Sequence, residues 1–187
     1  KSARSLIVED DEYIRGLNLL TLKPVLYVCN VDENSIDGNK YTEMVKKSIS
    51  NEQSEMQIIS AAIEADINEL DSADDRNEFL QEIGLEEPGV NKIISAAYSL
   101  LGLQTFFTAG EKEVRAWTIK KGALAPEAAG VIHTDFQKGF IRAEVISFED
   151  RVKFETEQAC REAGKISIEG KNYQVCDGDV IHFRFNV

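Results

Sequence analysis

Cysteine is scarce in this sequence, and long apolar runs are absent. The three cysteines among 187 residues, Cys29, Cys160 and Cys176, are odd in number and far apart. They suit neither a disulfide framework nor a C-x-x-C metal site, so we expect reduced thiols in a cytosolic protein. No stretch approaches the roughly 18 apolar residues of a membrane-spanning helix, and residues 1–11 lack the apolar core of a signal peptide. These absences predict a cytoplasmic protein with no membrane partner.

Acidic residues outnumber basic ones, but unevenly along the chain. The formal net charge is −12, which argues against nucleic acid, and DNA above all, as a partner of the whole chain. Residues 1–103 carry 9 Lys/Arg and 20 Asp/Glu, whereas residues 104–187 carry 12 and 13. This contrast predicts two domains with that boundary. The basic residues of the second are candidates for contact with RNA or a partner protein, with a merely solvated face equally open: Lys112, Arg115, Lys120, Lys121, Lys138 and Arg142.

The pattern of the first domain predicts an α/β unit. A short apolar run at 24–29 and another at 56–59 have the composition of buried parallel strands, and helical spacing at 39–50 separates them. Strand, helix and strand in that order are typical of a parallel sheet. An acidic helical region follows, for which Ser72 and Asp75 are a plausible capping pair and Gly84 a stop. A further helix is predicted at 90–101.

The second domain has the pattern of a mixed sheet. We predict, in order, a hairpin, a short helix, a strand, a long helix and a pair of strands: 105–108 with 114–119, 125 onward, 140–147, 149–163, and 165–169 with 173–175. The last strand alternates, with Ile181 and Phe183 on one face and His182 and Arg184 on the other. A sheet of about five strands wrapped around one helix is typical of a β-grasp domain.

Polar residues follow both strands of the first domain. Asn30-Val31-Asp32-Glu33 comes after the first strand, and Ser60-Ala61-Ala62 after the second. Open α/β sheets bind ligands at the carboxyl ends of their strands. P-loop GTPases read the base with an N-K-x-D motif after one strand and an S-A-K-like loop after the next, so the order here predicts a base-recognition site. Taken alone, Asn30 is as readily explained as a helix N-cap.

The departure from N-K-x-D has a chemical meaning. The motif's Asp accepts hydrogen bonds from the N1–H and N2 amine of guanine, and adenine has neither donor. The longer Glu33 side chain is expected to lose that geometry, whereas Asn30 retains the ability to pair with the N7/N6 edge of adenine. Val31 leaves an apolar side chain that can contact the base. The prediction is relaxed guanine selectivity, tilted toward ATP.

Longer stretches resemble one family. They read P-V-L-Y-V-C-N-V-D-E-N at 24–34, S-A-A-I-E-A-D-I-N-E-L at 60–70, F-L-Q-E-I-G-L-E-E-P-G at 79–89 and L-Q-T-F-F-T-A-G-E-K-E-V-R-A-W-T-I at 103–119, with further matches at 125–146 and 170–187. From about Leu17 to Val187 the chain is similar to the Obg-like ATPase (YchF) family. The resemblance implies the end of a G domain, with the tail of a helical insert up to about residue 16, followed by a TGS domain of β-grasp fold.

The resemblance also implies a ribosome-associated switch of the translation-factor-related GTPase class that binds and hydrolyses ATP with Mg²⁺. Nucleotide contacts would fall to Asn30, Val31, Glu33, Ser60, Ala61 and Ala62. The sequence has no G-x-x-x-x-G-K-[ST] and no D-x-x-G, so we expect the phosphate-binding part to precede Lys1. These 187 residues alone are predicted to be inactive, with no catalytic residue, no metal site and no tightly bound nucleotide. A GTP-binding member and a nucleotide-independent β-grasp interaction module remain alternatives, and the oligomeric state is open.

Overall fold

The computed structural model describes residues 16–52, 54–110 and 113–186. They form two compact units that divide between Leu101 and Gly102, here called the first and the second unit. The predicted tail of a helical insert falls almost entirely outside the described residues, as does the candidate contact Lys112. The assignment of the units to the end of a G domain and to a TGS domain stays a prediction.

The first unit contains two parallel strands, as the sequence predicts. β1 (Leu26–Asn30) and β2 (Glu55–Ile59) pair in register from Leu26 opposite Glu55 to Asn30 opposite Ile59. Besides two short 3₁₀ helices, Leu20–Leu22 and Glu33–Ser35, the unit has four α-helices bounded within the described residues: α1 (Lys40–Ser48), α2 (Ala61–Glu69), α3 (Ala73–Glu82) and α4 (Gly89–Leu100). Because β1 and β2 run in the same direction, their carboxyl ends lie at one edge of the sheet.

Side-chain caps fix where these helices begin. Asn39 Oδ1 accepts hydrogen bonds from the backbone N–H groups of Tyr41 and Thr42, and Thr42 Oγ1 accepts one from the N–H of Asn39, which completes a capping box at α1. Ser72 Oγ accepts a hydrogen bond from the N–H of Asp75 at 3.0 Å, so the predicted cap of α3 is confirmed. A small core of Ile63, Ile67 and Leu80 lies between α2 and α3.

The second unit is built on a mixed sheet in the order β4-β3-β7-β5-β6. β3 runs parallel to β7, and the other neighbouring pairs are antiparallel. The core lies under α5 and includes Phe106, Phe140 and Ile181. The strands and helices are β3 (Leu103–Ala109), β4 (Val114–Lys120), α5 (Ala125–Ile132), α6 (Thr134–Lys138), β5 (Phe140–Ile146), α7 (Phe148–Phe154), α8 (Glu157–Glu162), β6 (Ser167–Glu169) and β7 (Val180–Phe185).

Two details of the sequence prediction are wrong. The single helix expected at 149–163 is split at Glu155, whose φ is 60°, and Thr156 then caps α8 by accepting a hydrogen bond from the N–H of Ala159. A Thr at this position starts a new helix, because its hydroxyl satisfies a backbone donor of the first turn.

No helix within the described residues is long and apolar enough to cross a membrane.

The segment 173–175 is the second error, because it does not pair with β6. The N–H of Ala125 donates to Tyr173 O at 2.8 Å, and the N–H of Val175 donates to Ala123 O at 3.0 Å. β6 pairs with β5 instead. The Tyr173 hydroxyl also donates to Asp179 Oδ2 at 2.7 Å, which holds the segment beside the turn before β7. The carbonyl of Tyr173 and the N–H of Val175 are therefore satisfied by the chain at the start of α5.

Candidate functional site

The two loops predicted to read a base are joined by hydrogen bonds. Asn30 is the last residue of β1, and its Oδ1 accepts a hydrogen bond from the backbone N–H of Ala61 at 3.0 Å. The N–H of Val31 donates to Ile59 O at 2.8 Å. The structure thus brings together Asn30, Val31 and the loop at 60–62. That these residues bind a nucleotide stays a prediction.

The alternative role of Asn30, a helix cap, is right in part. Asn30 satisfies a backbone donor at the first residue of α2, which follows the other strand. Ser60 occupies the N-cap position of α2 with extended backbone angles, but its side chain makes no capping hydrogen bond. The amide of Asn30 therefore takes over part of the capping that Ser60 does not provide.

Ser60 is a buried polar residue with unused hydrogen-bonding capacity. Its side chain is 3% exposed, and within the described residues its Oγ has no hydrogen-bond partner. A buried hydroxyl without a partner costs about 1–3 kcal/mol. The residue lines a small cavity of about 30 Å³ together with Ile36 and Glu64. The Ser60 hydroxyl, at the N-cap position of α2, can therefore both donate and accept a further hydrogen bond.

Val31, Asp32 and Glu33 lead into a short 3₁₀ turn. Asp32 caps this turn, because its Oδ1 accepts a hydrogen bond from the N–H of Asn34 at 3.1 Å. Glu33 begins the turn with an exposed side chain. Asp32 caps the local turn, and both acidic side chains of the motif, Asp32 and Glu33, are exposed to solvent.

The carboxylate of Glu64 on α2 binds the first backbone N–H groups of α4. Its Oε1 accepts a hydrogen bond from the N–H of Gly89 at 2.6 Å, and its Oε2 accepts one from the N–H of Val90 at 3.3 Å. A carboxylate on α2 therefore caps the N-terminus of α4, where negative charge is favourable. A Cβ on Gly89 would lie 2.9 Å from both Glu64 Oε1 and Ile59 Cγ2. Only glycine fits here without displacing the cap or β2.

The described basic candidates of the second unit belong to several of its elements. Arg115 lies over the ring of Trp117, with 4.1 Å from the guanidinium carbon to the ring centroid. Lys120 ends β4 and Lys121 follows it, while Lys138 ends α6. Arg142 lies on β5 and faces Glu144. The structure groups Arg142 with arginines that the sequence analysis missed.

Those arginines are Arg161 and Arg184, and all three contact one buried carboxylate. Glu144 on β5 is 7% exposed. Arg184 donates from Nε to Oε1 at 3.0 Å and from Nη2 to Oε2 at 3.3 Å. These hydrogen bonds hold the pKa of Glu144 below its usual value; burial opposes them, and the charges of Arg184 and Arg161 reinforce them. The same pairing raises the pKa of Arg184.

Two sequence signals point to part of this cluster. Strand alternation places Arg184 on the face opposite Ile181 and Phe183, and Arg142 precedes Glu144 by the two-residue period of a strand. Arg161 lies on α8, which the sequence analysis merged with α7. The described residues contain no group of three or more His, Cys, Asp or Glu side chains arranged to hold a metal ion.

Comparison with known proteins gives consistent results. Residues 103–186 match the family model YchF-GTPase_C, described as a protein of unknown function (DUF933). The chain is 56% identical to the Ribosome-binding ATPase YchF of Escherichia coli O157:H7, over 99% of this chain and 51% of that protein. It is 48% identical to the protein of the same name from Bacillus subtilis, over 100% of this chain and 52% of that one.

A solved structure agrees with these relatives. The Schizosaccharomyces pombe YchF GTPase matches with a TM-score of 0.81 and 37% identity, over 98% of this chain and 50% of that one. The mixed α/β fold is therefore shared with a YchF structure. The chain spans about half the length of the curated relatives that it matches. It belongs to the YchF family and corresponds to a C-terminal portion of its members.

Proposed function

We propose that this chain supplies the base-binding side of a nucleotide site in a ribosome-associated, ATP-binding and ATP-hydrolysing switch protein of the cytoplasm. Relatives at 56% and 48% identity are named ribosome-binding ATPases. The phosphates and Mg²⁺ would be held by the part of the family's length that this chain does not span. Residues 1–103 would be the end of the G domain, with its base loops at Asn30–Glu33 and Ser60–Ala62.

The hydrogen bond between Asn30 and Ala61 carries this proposal. It fixes the side chain of Asn30 between the two loops with Oδ1 already accepting from the backbone. The amide Nδ2 then remains as a donor, and purine N7 is its natural acceptor. Adenine and guanine both carry N7, so Asn30 would hold either purine. Discrimination between them would fall to the neighbouring residues.

Glu33 and Val31 would provide that discrimination. A carboxylate selects guanine by accepting from its N1–H and N2 amine, which adenine lacks. Glu33 begins the 3₁₀ turn with an exposed side chain that is one methylene longer than Asp, and this extra length would displace its oxygens from the guanine edge. Val31 would contact the base through its apolar side chain. The result would be a site that accepts ATP at least as well as GTP.

Nucleotide titration of the intact protein tests this site. Replacing Asn30 with Ala removes the amide donor and the tie to Ala61, so we expect ATP and GTP each to bind about tenfold more weakly, a loss of about 1.4 kcal/mol. Replacing Glu33 with Asp should strengthen GTP binding and leave ATP binding little changed. Dissociation constants from a fluorescent-nucleotide competition assay measure both effects. Undiminished ATP binding by Asn30→Ala would refute the site, and no gain in GTP binding by Glu33→Asp would refute the role of Glu33.

The second unit would be a TGS domain of β-grasp fold at residues 104–187. Its strand order of β4-β3-β7-β5-β6 places the first and last strands of the unit side by side and parallel at the centre of the sheet. One helix, α5, covers the core on one face. This parallel pair, with β4 outside β3 and β5 outside β7, is the arrangement expected for a β-grasp domain.

A nucleotide-independent interaction module is the second candidate. Its support is the core of the second unit, which closes around Phe106 and Ile181 without residues of the first unit. Ribosome co-sedimentation of the intact protein, with and without ATP, separates the two candidates, because the 187-residue chain alone is not expected to hold ATP. Equal pelleting in both conditions would favour the module, and no pelleting at low salt would count against it. In the intact protein, the switch proposal requires that pelleting depend on the bound nucleotide.

A further inference from the structure

Three arginines surround Glu144 on one face of the second unit. Arg184 binds both oxygens of Glu144, at 3.0 and 3.3 Å. Arg142 Nη2 lies 3.5 Å from Oε1, and Arg161 Nη2 lies 3.6 Å from Oε2. Arg142 and Arg184 are also register partners on β5 and β7. The three guanidinium groups are therefore held close together around one carboxylate.

Satisfying Glu144 does not require all three arginines. The two-point contact from Arg184 has the fork geometry in which a guanidinium pairs best with a carboxylate. Arg142 and Arg161 lie at distances where an ion pair is weak. Each guanidinium has five N–H donors, so the three offer about fifteen, of which Glu144 can accept only a few. Most of these donors are left for another acceptor.

Exposure and charge favour an anionic ligand. The side chains of Arg142, Arg161 and Arg184 are 49%, 57% and 47% exposed. Their acidic partners are Glu144 and Glu157, the latter 2.9 Å from Arg161, so these five side chains carry a net charge of +1. The whole chain has a net charge of −12. A locally positive group on such a chain requires a specific explanation.

We infer that Arg142, Arg161 and Arg184 form a phosphate-binding surface for an RNA backbone, with Glu144 as the positioning residue. The inference rests on the proposed ribosome association and names the chemistry of that contact. Ile181 and Phe183 of β7 point into the core under α5, so the alternating Arg184 lies on the opposite face of the sheet. Part of that face is covered where Cys160 of α8 packs on Ile146, and the exposed side chains of Arg142 and Arg184 remain open to an elongated ligand.

RNA suits this arrangement better than an acidic protein segment does. Phosphates repeat at regular intervals along an RNA strand, so one molecule can contact more than one of the three arginines. Each such contact also releases counterions, which makes binding to several arginines favourable at low salt. The Arg184 guanidinium, which both oxygens of Glu144 already hold in place, loses little side-chain entropy when phosphate binds.

RNA binding by the full 187-residue chain tests the inference. The probe is a fluorescein-labelled RNA hairpin of about 20 nucleotides, followed by fluorescence anisotropy between about 50 and 200 mM salt. The double variant Arg142→Gln/Arg161→Gln should bind about 10–100-fold more weakly at low salt. Its plot of log affinity against log salt should be shallower by about two units, one for each lost phosphate contact. Arg76→Gln is the control. It removes one positive charge from the first unit, and it should change the slope of log affinity against log salt far less than the double variant does.

Glu144→Gln tests the positioning role through the direction of its effect. This variant removes a negative charge, so electrostatics alone predicts tighter RNA binding. If Glu144 holds the arginines in place, binding should instead weaken by about threefold, or about 0.6 kcal/mol. Circular dichroism confirms that each variant is folded. Equal or tighter binding by a folded Glu144→Gln variant would refute the positioning role.

Other outcomes separate this inference from the proposed function. A double variant that binds the hairpin as the parent does would overturn the inference, and unchanged ribosome pelleting would then leave the proposed function standing. Tighter binding of a poly-glutamate peptide than of the hairpin at equal salt would also overturn it, in favour of an acidic protein partner. If the double variant lost hairpin binding and the intact protein did not pellet with ribosomes, the phosphate surface would stand and the ribosome association would be refuted.

Discussion

The two units are stabilised in different ways. In the second unit the core contains fully buried side chains such as Phe106 and Ile181 and extends from the sheet to α5. In the first unit the buried cluster of Ile63, Ile67 and Leu80 is small, and Val28 at the centre of β1 is 44% exposed. Parallel strands are usually covered on both faces. Capping residues such as Asn39, Ser72 and Glu64 support the helices around this small core.

The largest expected effect comes from emptying the core of the second unit. Phe106 is 0% exposed and contacts Phe183 edge to face at 5.8 Å between ring centroids. We expect Phe106→Ala to lower the free energy of unfolding by about 3–5 kcal/mol. Trp117 is the single tryptophan and lies in the second unit, so its fluorescence reports the unfolding of that unit. Far-UV circular dichroism reports both units.

Ile168→Ala is the matched control for that experiment. Ile168 is 66% exposed in the same sheet, and its truncation should change the unfolding free energy by about 0.5 kcal/mol or less. If Phe106→Ala shifts the tryptophan transition no more than Ile168→Ala does, the second unit does not depend on its core in the way proposed.

A smaller effect is expected from breaking the cap of α4 in the first unit. Gly89→Ala places a Cβ against Glu64 and Ile59, so either the cap or β2 must shift. We expect a loss of about 1–3 kcal/mol, seen in far-UV circular dichroism and not in the fluorescence of Trp117. Gly170→Ala is the control, because a Cβ there meets nothing within 4 Å. A shift of the tryptophan transition equal to that of the dichroism would show that the two units unfold together.

The smallest effect is a pH dependence confined to the second unit. The pKa of Glu144 is lower in the folded chain than in the unfolded chain, mainly because Arg184 donates hydrogen bonds to it. This difference stabilises the fold above the unfolded pKa of about 4.3 and is lost as the pH falls through the lower folded pKa. Glu144→Gln should therefore show a shallower loss of stability on acidification. Parallel curves of denaturation midpoint against pH would contradict this account.

Local features of the fold followed from local sequence. β-branched and aromatic runs predicted β1, β2 and the β3–β4 hairpin, and the spacing of Ser72 and Asp75 predicted the cap of α3. The split between α7 and α8 was missed, because Thr156 interrupts a stretch whose composition otherwise suits one helix. The position of the segment 173–175 depends on two hydrogen bonds with the chain at the start of α5: the N–H of Ala125 donates to Tyr173 O, and the N–H of Val175 donates to Ala123 O. Such distant contacts leave no periodic signal.

The candidate sites show the same division. The general rule for parallel strands predicted that Asn30 and Ala61 would lie at one edge, because both follow strands of the same sheet. The arginine cluster was not predicted, since Arg142, Arg161 and Arg184 come from β5, α8 and β7. Only the tertiary fold brings them to Glu144. Counting basic residues along the chain selected Arg142 but neither Arg161 nor Arg184.

The hydrogen bond from Ala61 to Asn30 has a thermodynamic consequence for whatever docks against this loop. An exposed asparagine normally samples several rotamers, and fixing one such side chain costs about 0.5–1.5 kcal/mol of binding free energy. The hydrogen bond with Ala61 already restricts the side chain of Asn30 within the fold itself. Folding has absorbed that entropy loss, so a ligand that meets the amide of Asn30 gains its hydrogen bond without a further ordering cost.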